Sequence, residues 1–140
     1  MATLNRTYTT VTNIYWLLRI SYGLFWTLAG IDKLSPALYF IVNWQKYVST
    51  KVLTLTGLNA PNLLIGVGFL EIIIGLLILS GKTKIGAYLS IAWFTIIIIN
   101  LFFTGQYFDI IVRDLVITIG LFSLAQITDI KNELAGYTKA

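Results

Sequence analysis

The stretch that decides the fold is NLLIGVGFLEIIIGLLILSGKTKIGAYLSIAWFTIIIINLFF, residues 62–103. It contains two apolar runs, 62–80 and 85–103, and each has about the 20 residues that an α-helix needs to cross roughly 30 Å of hydrocarbon. Only residues 81–84 separate the two runs. The sequence therefore predicts an antiparallel pair of membrane-spanning helices at this place.

Two further apolar runs of the same length flank this pair, at 12–31 and 108–127. The turn between the third and fourth spans, 104–107, is again short. The first run is too long for the core of a signal peptide, so we interpret it as a retained span. The sequence predicts an all-α, polytopic membrane protein, a bundle of four transmembrane helices in a single domain, 1–140.

One long connection, 32–61, joins the first two spans on the outer side. Its run at 37–47 is too apolar for a free loop, which predicts a short interfacial helix lying against the bundle. The tail at 129–140 is polar, and we expect it to be frayed.

Composition supports a lipid environment and excludes several kinds of chemistry. The chain is 57% hydrophobic and 11% charged, whereas a soluble domain has about 25% charged residues. It has no cysteine and no histidine, and Met1 is its only methionine. Disulfides, thiol exchange, haem ligation by histidine and the usual zinc and copper sites are thereby excluded. We expect no catalytic residues, no metal and no covalently bound cofactor.

The basic residues stand singly at the ends of apolar runs, which is typical of topology signals and not of a nucleic-acid site. With both ends inside, the cytoplasmic side holds Arg6, Lys82, Lys84, Lys131 and Lys139, and the outer side holds Lys33, Lys46 and Lys51. The bias favours an N-in, C-in orientation.

Ionisable residues within the spans are the candidates for function, because an unpaired charge in hydrocarbon costs several kcal/mol. Arg19 shares one helix face with Gly23, Trp26, Gly30 and Lys33, which predicts that this face turns inward. On the second span, Gly68, Glu71 and Gly75 share a face. Glu71 is therefore predicted at a close helix contact.

The predicted depths bring several of these side chains together in the outer half of the bundle. We expect a polar pocket that opens to the outer face beneath residues 37–51. The candidate ligand-binding residues are Arg19, Asp32, Lys33, Glu71, Asn100, Arg113 and Asp114. In the alternative interpretation, which stays open, Arg19 with Glu71 and Arg113 with Asp109 or Asp114 are structural ion pairs. The four tryptophans are more typical of packing and membrane interfaces than of ligand stacking.

Three segments together resemble the DoxX-like membrane proteins. They are the arginine, glycine and lysine of the first span (Arg19, Gly30, Lys33), the glutamate and glycines of the second (Glu71, Gly75, Gly81), and the pair that opens the last (Arg113, Asp114). The resemblance implies a four-helix bundle in the inner membrane of a bacterium. For some relatives it implies a membrane subunit of quinone-linked oxidation or of oxidoreductase complexes that handle thiol stress. Because this chain lacks cysteine, it cannot carry out thiol exchange itself, and in this respect it departs from the relatives that handle thiol stress.

Our leading hypothesis is a non-catalytic membrane subunit that docks a redox partner and binds a quinone or a similar amphipathic molecule. Lys33 and Arg113 would donate hydrogen bonds to a carbonyl, Asp114 would orient them, and Glu71 would accept a proton. The first alternative is a small-solute transporter that acts as a homo-oligomer, since four helices are few for alternating access. The second is an assembly factor for another membrane protein, as some animal relatives are.

Overall fold

The computed structural model describes residues 2–34 and 41–137, and within them every regular element is a helix. These are α1 (Ala2–Leu34), a short 3-10 helix (Trp44–Tyr47), α2 (Thr50–Thr56), α3 (Ala60–Leu79), α4 (Thr83–Thr104) and α5 (Phe108–Tyr137). α1, α3, α4 and α5 are long and apolar enough to cross a membrane. The predicted all-α bundle of four spans is confirmed, and the chain is a multi-pass membrane protein.

The four long helices form a ring in the order α1, α3, α4, α5, and each packs against its two neighbours. Short turns join α3 to α4 and α4 to α5. Gly81 and Gly105 adopt positive φ angles of 100° and 68° in these turns, a conformation that glycine takes without steric cost. Gly105 also caps α4, where its N–H donates to the carbonyl of Phe102.

The core lies at the centre of the ring and draws on all four helices. Trp26 of α1 packs against Phe94 of α4, with ring centroids 4.7 Å apart. Ile78 of α3 and Leu121 of α5 are fully buried in the same cluster. Most other large apolar side chains of the spans face outward, as expected where lipid is the solvent.

Glycines bring α1 and α3 unusually close. A methyl group on Gly30 would lie 2.5 Å from the carbonyl oxygen of Gly68, and one on Gly68 would lie 2.8 Å from that of Gly30. Two turns further along α3, a methyl group on Gly75 would lie 2.8 Å from the carbonyl oxygen of Gly23. The predicted close contact beside Glu71 is confirmed.

The helices differ from the predicted spans mainly at the end of the bundle that carries both termini. α1 begins at Ala2 and α5 continues to Tyr137, so the expectation of a frayed tail is wrong as far as Tyr137. The extension is stabilised by packing, because Thr128 is buried and the ammonium of Lys131 lies 4.6 Å from the ring centroid of Tyr15 on α1. Pairing with α1 outweighs the polar composition of this segment.

The long connection contains helical segments, as predicted, although they are short and lie later in the chain. They are the 3-10 helix and α2, whose N-caps are the side chains of Asn43 and Ser49. The first part of the predicted interfacial helix, 37–40, lies outside the described residues.

Candidate functional site

A buried ion pair joins α1 to α3. The Nζ of Lys33 lies 2.6 Å from Oε2 of Glu71, and the two side chains are 5% and 1% exposed. Lys33 stands in the last turn of α1, where a cation is stabilised by the negative end of the helix dipole. Its ammonium also donates to the carbonyl of Ala29, at 3.4 Å. Both charges are thus removed from solvent and depend on each other.

Two tryptophans enclose this pair. The Nε1–H of Trp93, on α4, donates to Oε1 of Glu71 at 3.3 Å. The ring of Trp44, in the 3-10 helix, lies with its centroid 3.4 Å from the Nζ of Lys33. An aromatic face attracts a desolvated ammonium ion by about 2 kcal/mol. The carboxylate therefore has a second donor and the ammonium has an aromatic cover.

Asp32 holds the loop segment that carries Trp44. One of its carboxylate oxygens accepts from the Nε1–H of Trp44 at 2.6 Å and from the N–H of Val42 at 3.3 Å, while the other accepts from the N–H of Ile41 at 3.2 Å. Asp32 is 5% exposed. Since hydrogen bonds to an ionised acceptor are the strong ones, residues 41–44 are firmly attached to the end of α1. We call residues 41–49 the latch.

Asn100 of α4 fixes the other end of the latch. Its Nδ2 donates to the carbonyl of Tyr47 at 2.7 Å, and its Oδ1 accepts from the N–H of Ser49 at 3.0 Å. The rings of Tyr47 and Tyr107 meet edge to face, 4.8 Å apart. The latch therefore bridges from α1 to the start of α5 across the outer end of the bundle.

The predicted convergence of polar side chains is confirmed for Asp32, Lys33, Glu71 and Asn100, which all lie beneath or beside the latch. The expectation of a pocket that opens to the outer face is wrong at Asp32 and Lys33, because the latch contacts both side chains. Asp32, Lys33 and Glu71 are at most 5% exposed. These polar side chains form a closed, buried cluster and not a pocket that is open to solvent.

Arg19 does not belong to this cluster, and its pairing with Glu71 is wrong. Its Nε donates to the carbonyl of Ile78 at 3.0 Å, and its Nη2 donates to the carbonyl of Leu79. These carbonyls end α3 and lack partners within the helix. Arg19 therefore caps α3 from the neighbouring α1, a structural role at the opposite end of the bundle from the latch.

Arg113 and Asp114 form the ion pair that the alternative interpretation predicts. The Nη2 of Arg113 lies 3.0 Å from Oδ1 of Asp114, with the side chains 63% and 4% exposed. Because Arg113 is so exposed, its guanidinium does not enter the bundle interior beside Lys33. The structure supports the structural interpretation for this pair.

A shallow groove of about 230 Å³ runs along the outer surface of α3, and Trp93 separates it from the polar cluster. Its lining residues are Leu58, Asn62, Leu63, Gly66, Val67, Leu70 and Trp93. A methyl group on Gly66 would meet no atom within 4 Å. Trp93 lies between the groove and the polar cluster. Its side chain lines the groove, and its Nε1–H donates to the buried carboxylate of Glu71.

Sequence reasoning gave too little weight to Trp44 and Trp93. The signal for Trp93 is its spacing of seven residues from Asn100, which places both side chains on one face of α4. Trp44 carries no such signal, because its position depends on how the latch folds back over α1.

No family model matches the chain, and a comparison with curated proteins finds no match either.

Proposed function

We propose that the protein is a non-catalytic membrane subunit that binds a quinone or a similar amphipathic carbonyl compound and presents it to an oxidoreductase partner. The observation that carries the proposal is the position of Trp93, between the lateral groove and the buried Lys33–Glu71 pair. The resemblance to the DoxX-like proteins supports the same chemistry. The site offers donors and an acceptor to a ligand that arrives through apolar surroundings.

Trp93, Lys33 and Glu71 each have a part in this proposal. On binding, the ring of the ligand packs against Trp93, and its carbonyl replaces the carboxylate of Glu71 as the acceptor of the indole N–H. Lys33 stays beneath Trp44 and keeps the charge of Glu71 paired. When the bound molecule is the quinol, Glu71 accepts one of the two protons released as the oxidoreductase partner takes two electrons from it and leaves the quinone. Arg113 and Asp114 leave the ligand site, because the exposed Arg113 is paired with its own neighbour.

We also propose the inner membrane of a bacterium as the location, with both termini in the cytoplasm. Arg6, Lys82 and Lys131 lie towards the end of the bundle that carries the termini, whereas Lys46 lies in the latch and Lys51 lies in α2, directly after it. Lys33 no longer counts as an outer-side signal, because its charge is buried in an ion pair. The remaining bias supports the N-in, C-in orientation.

Native mass spectrometry after gentle solubilisation from the native membrane tests the proposal. We expect a retained quinone or a co-purifying oxidoreductase. Trp93→Phe keeps an aromatic ring and removes the indole N–H that donates to the ligand carbonyl, so we expect quinone binding to weaken about tenfold. Trp16→Phe, an exposed tryptophan beside Arg19 at the other end of the bundle, is the matched control and should bind normally.

A homo-oligomer that carries only phospholipid, with neither quinone nor partner, would contradict the proposal. Liposome flux would then test the transport alternative. The levels of neighbouring membrane complexes in a deletion strain would test the assembly alternative.

A further inference from the structure

We infer that the groove over Gly66 is a lateral entrance from the bilayer and that it holds the hydrocarbon tail of the ligand. The inference rests on the proposed function and adds the class of ligand, a membrane-dissolved molecule that carries an apolar chain. A water-soluble ring of the same chemistry, without a chain, would leave the groove unused.

The outer approach to the polar cluster is closed by contacts at both ends of the latch. Asp32 accepts three hydrogen bonds from residues 41–44, and Asn100 makes two with residues 47–49. The ring of Trp44 lies directly over the ammonium of Lys33. A ligand that came from the outer aqueous phase would have to break several of these contacts together.

The groove, in contrast, opens on the side of a helix that crosses the membrane. α3 spans with a mean hydropathy of 2.5 over its apolar window, so the medium beside it is hydrocarbon. The groove walls are mainly aliphatic side chains, and the Gly66 position leaves the space above the helix free. An apolar chain from the bilayer fits these walls without loss of hydrogen bonds.

Polar groups stand at the deeper end of the groove. From Asn62 to Leu70 the helix rises about 12 Å, and Leu70 directly precedes Glu71. At this level the indole of Trp93 connects the groove to the buried carboxylate. The geometry suits a ligand with its ring at Trp93 and the first part of its chain in the groove at Gly66, where the open side of the groove lets the rest of the chain pass into the lipid.

Gly66→Leu is the variant that tests the groove. Its side chain enters open space, so it fills the groove without meeting the backbone of another helix. Leucine also favours a helix more than glycine does. Gly136→Leu is the matched control, because Gly136 likewise lies in a helix with no atom within 4 Å of an added methyl group, at the far end of α5.

The first measurement needs no quinone. The protein is placed in vesicles whose phospholipids carry brominated acyl chains, which quench tryptophan fluorescence on contact. The contribution of Trp93 is the difference between the protein and its Trp93→Phe variant. We expect this contribution to be quenched in the wild-type and Gly136→Leu proteins and to lose most of its quenching in Gly66→Leu. Equal quenching of Trp93 with Gly66→Leu, or none in the wild type, would overturn the inference.

The second measurement compares a benzoquinone that carries a ten-carbon chain with the same ring without a chain. With both concentrations expressed per lipid, so that partition into the bilayer does not contribute, we expect the chain to strengthen binding to the wild type at least about tenfold, because it packs against the groove walls. Gly66→Leu should abolish that difference and Gly136→Leu should keep it. Equal binding of the two rings by the wild type would overturn the inference and leave the proposed function standing. Binding of neither ring, with the quenching result as expected, would overturn the proposed function instead.

Discussion

Two lysine–carboxylate pairs of nearly the same length occur in very different surroundings. Lys33 and Glu71 are buried at 2.6 Å, whereas Lys84 and Asp129 meet at 2.7 Å with about half of each side chain exposed. Water solvates the members of the second pair when they separate. The buried members have no such alternative, so the same contact has different consequences at the two sites.

Glu71→Gln should therefore destabilise the protein strongly, by about 3–5 kcal/mol, because it leaves the ammonium of Lys33 buried without a counter-charge. Thermal unfolding in nanodiscs measures the effect. The double variant Lys33→Met, Glu71→Gln should regain much of the loss, since no charge is then buried.

The exposed pair supplies the control for this prediction. Lys84→Met should leave the unfolding temperature nearly unchanged. If Glu71→Gln lowered the unfolding temperature no more than Lys84→Met does, the buried ion pair would not contribute the stability that we assign to it.

At the scale of helices, the contact between α1 and α3 depends on glycine at particular positions. Gly68→Ala would place a methyl group 2.8 Å from the carbonyl oxygen of Gly30, and backbone cannot move aside as a flexible side chain can. We expect a loss of about 1–3 kcal/mol from overpacking, measured by unfolding in nanodiscs. Gly66→Ala, two residues away with open space around it, should be neutral or slightly stabilising. Similar losses of stability in Gly68→Ala and Gly66→Ala would contradict the inference that the close contact between α1 and α3 requires glycine at position 68.

The latch is the other element whose order depends on a few side chains. Asp32→Ala removes the acceptor of three hydrogen bonds, so we expect faster amide exchange at Ile41 and Val42, read by hydrogen exchange with mass spectrometry. Asp109→Ala, at an exposed carboxylate of α5, is the control and should leave the exchange of the latch as it is. Unchanged exchange with Asp32→Ala would show that other contacts hold the segment.

At the scale of the whole molecule, four spans bring both termini to one side of the membrane. The chain has no cysteine, so single cysteines report directly on accessibility. With a membrane-impermeant thiol reagent applied to intact cells, Lys51→Cys beside the latch should react, while Asn5→Cys and Lys82→Cys should react only after the cells are opened. Labelling of Asn5→Cys and Lys51→Cys from the same side would contradict the topology, and labelling of Asn5→Cys from outside alone would reverse the orientation.

The sequence by itself determined the spans, the two tight turns and the inward faces of α1 and α3. These features are local, because hydropathy over about 20 residues and the helical period decide them. Gly68, Glu71 and Gly75 share a face of α3 whatever the helix packs against, because they are three and four residues apart. Two glycines on the face that carries a buried charge predicted the close contact with another helix.

Only the tertiary structure decided which charges meet. Arg19 and Lys33 lie on the same face of α1, and either could pair with Glu71 by periodicity alone. The register of α1 against α3, fixed by the contact of Gly30 with Gly68, places Lys33 at the level of Glu71 and Arg19 at the last carbonyls of α3. The latch could not be predicted from the sequence either. Its hydrogen bonds join residues that are far apart in the chain, and only the packing of the whole bundle brings these residues together.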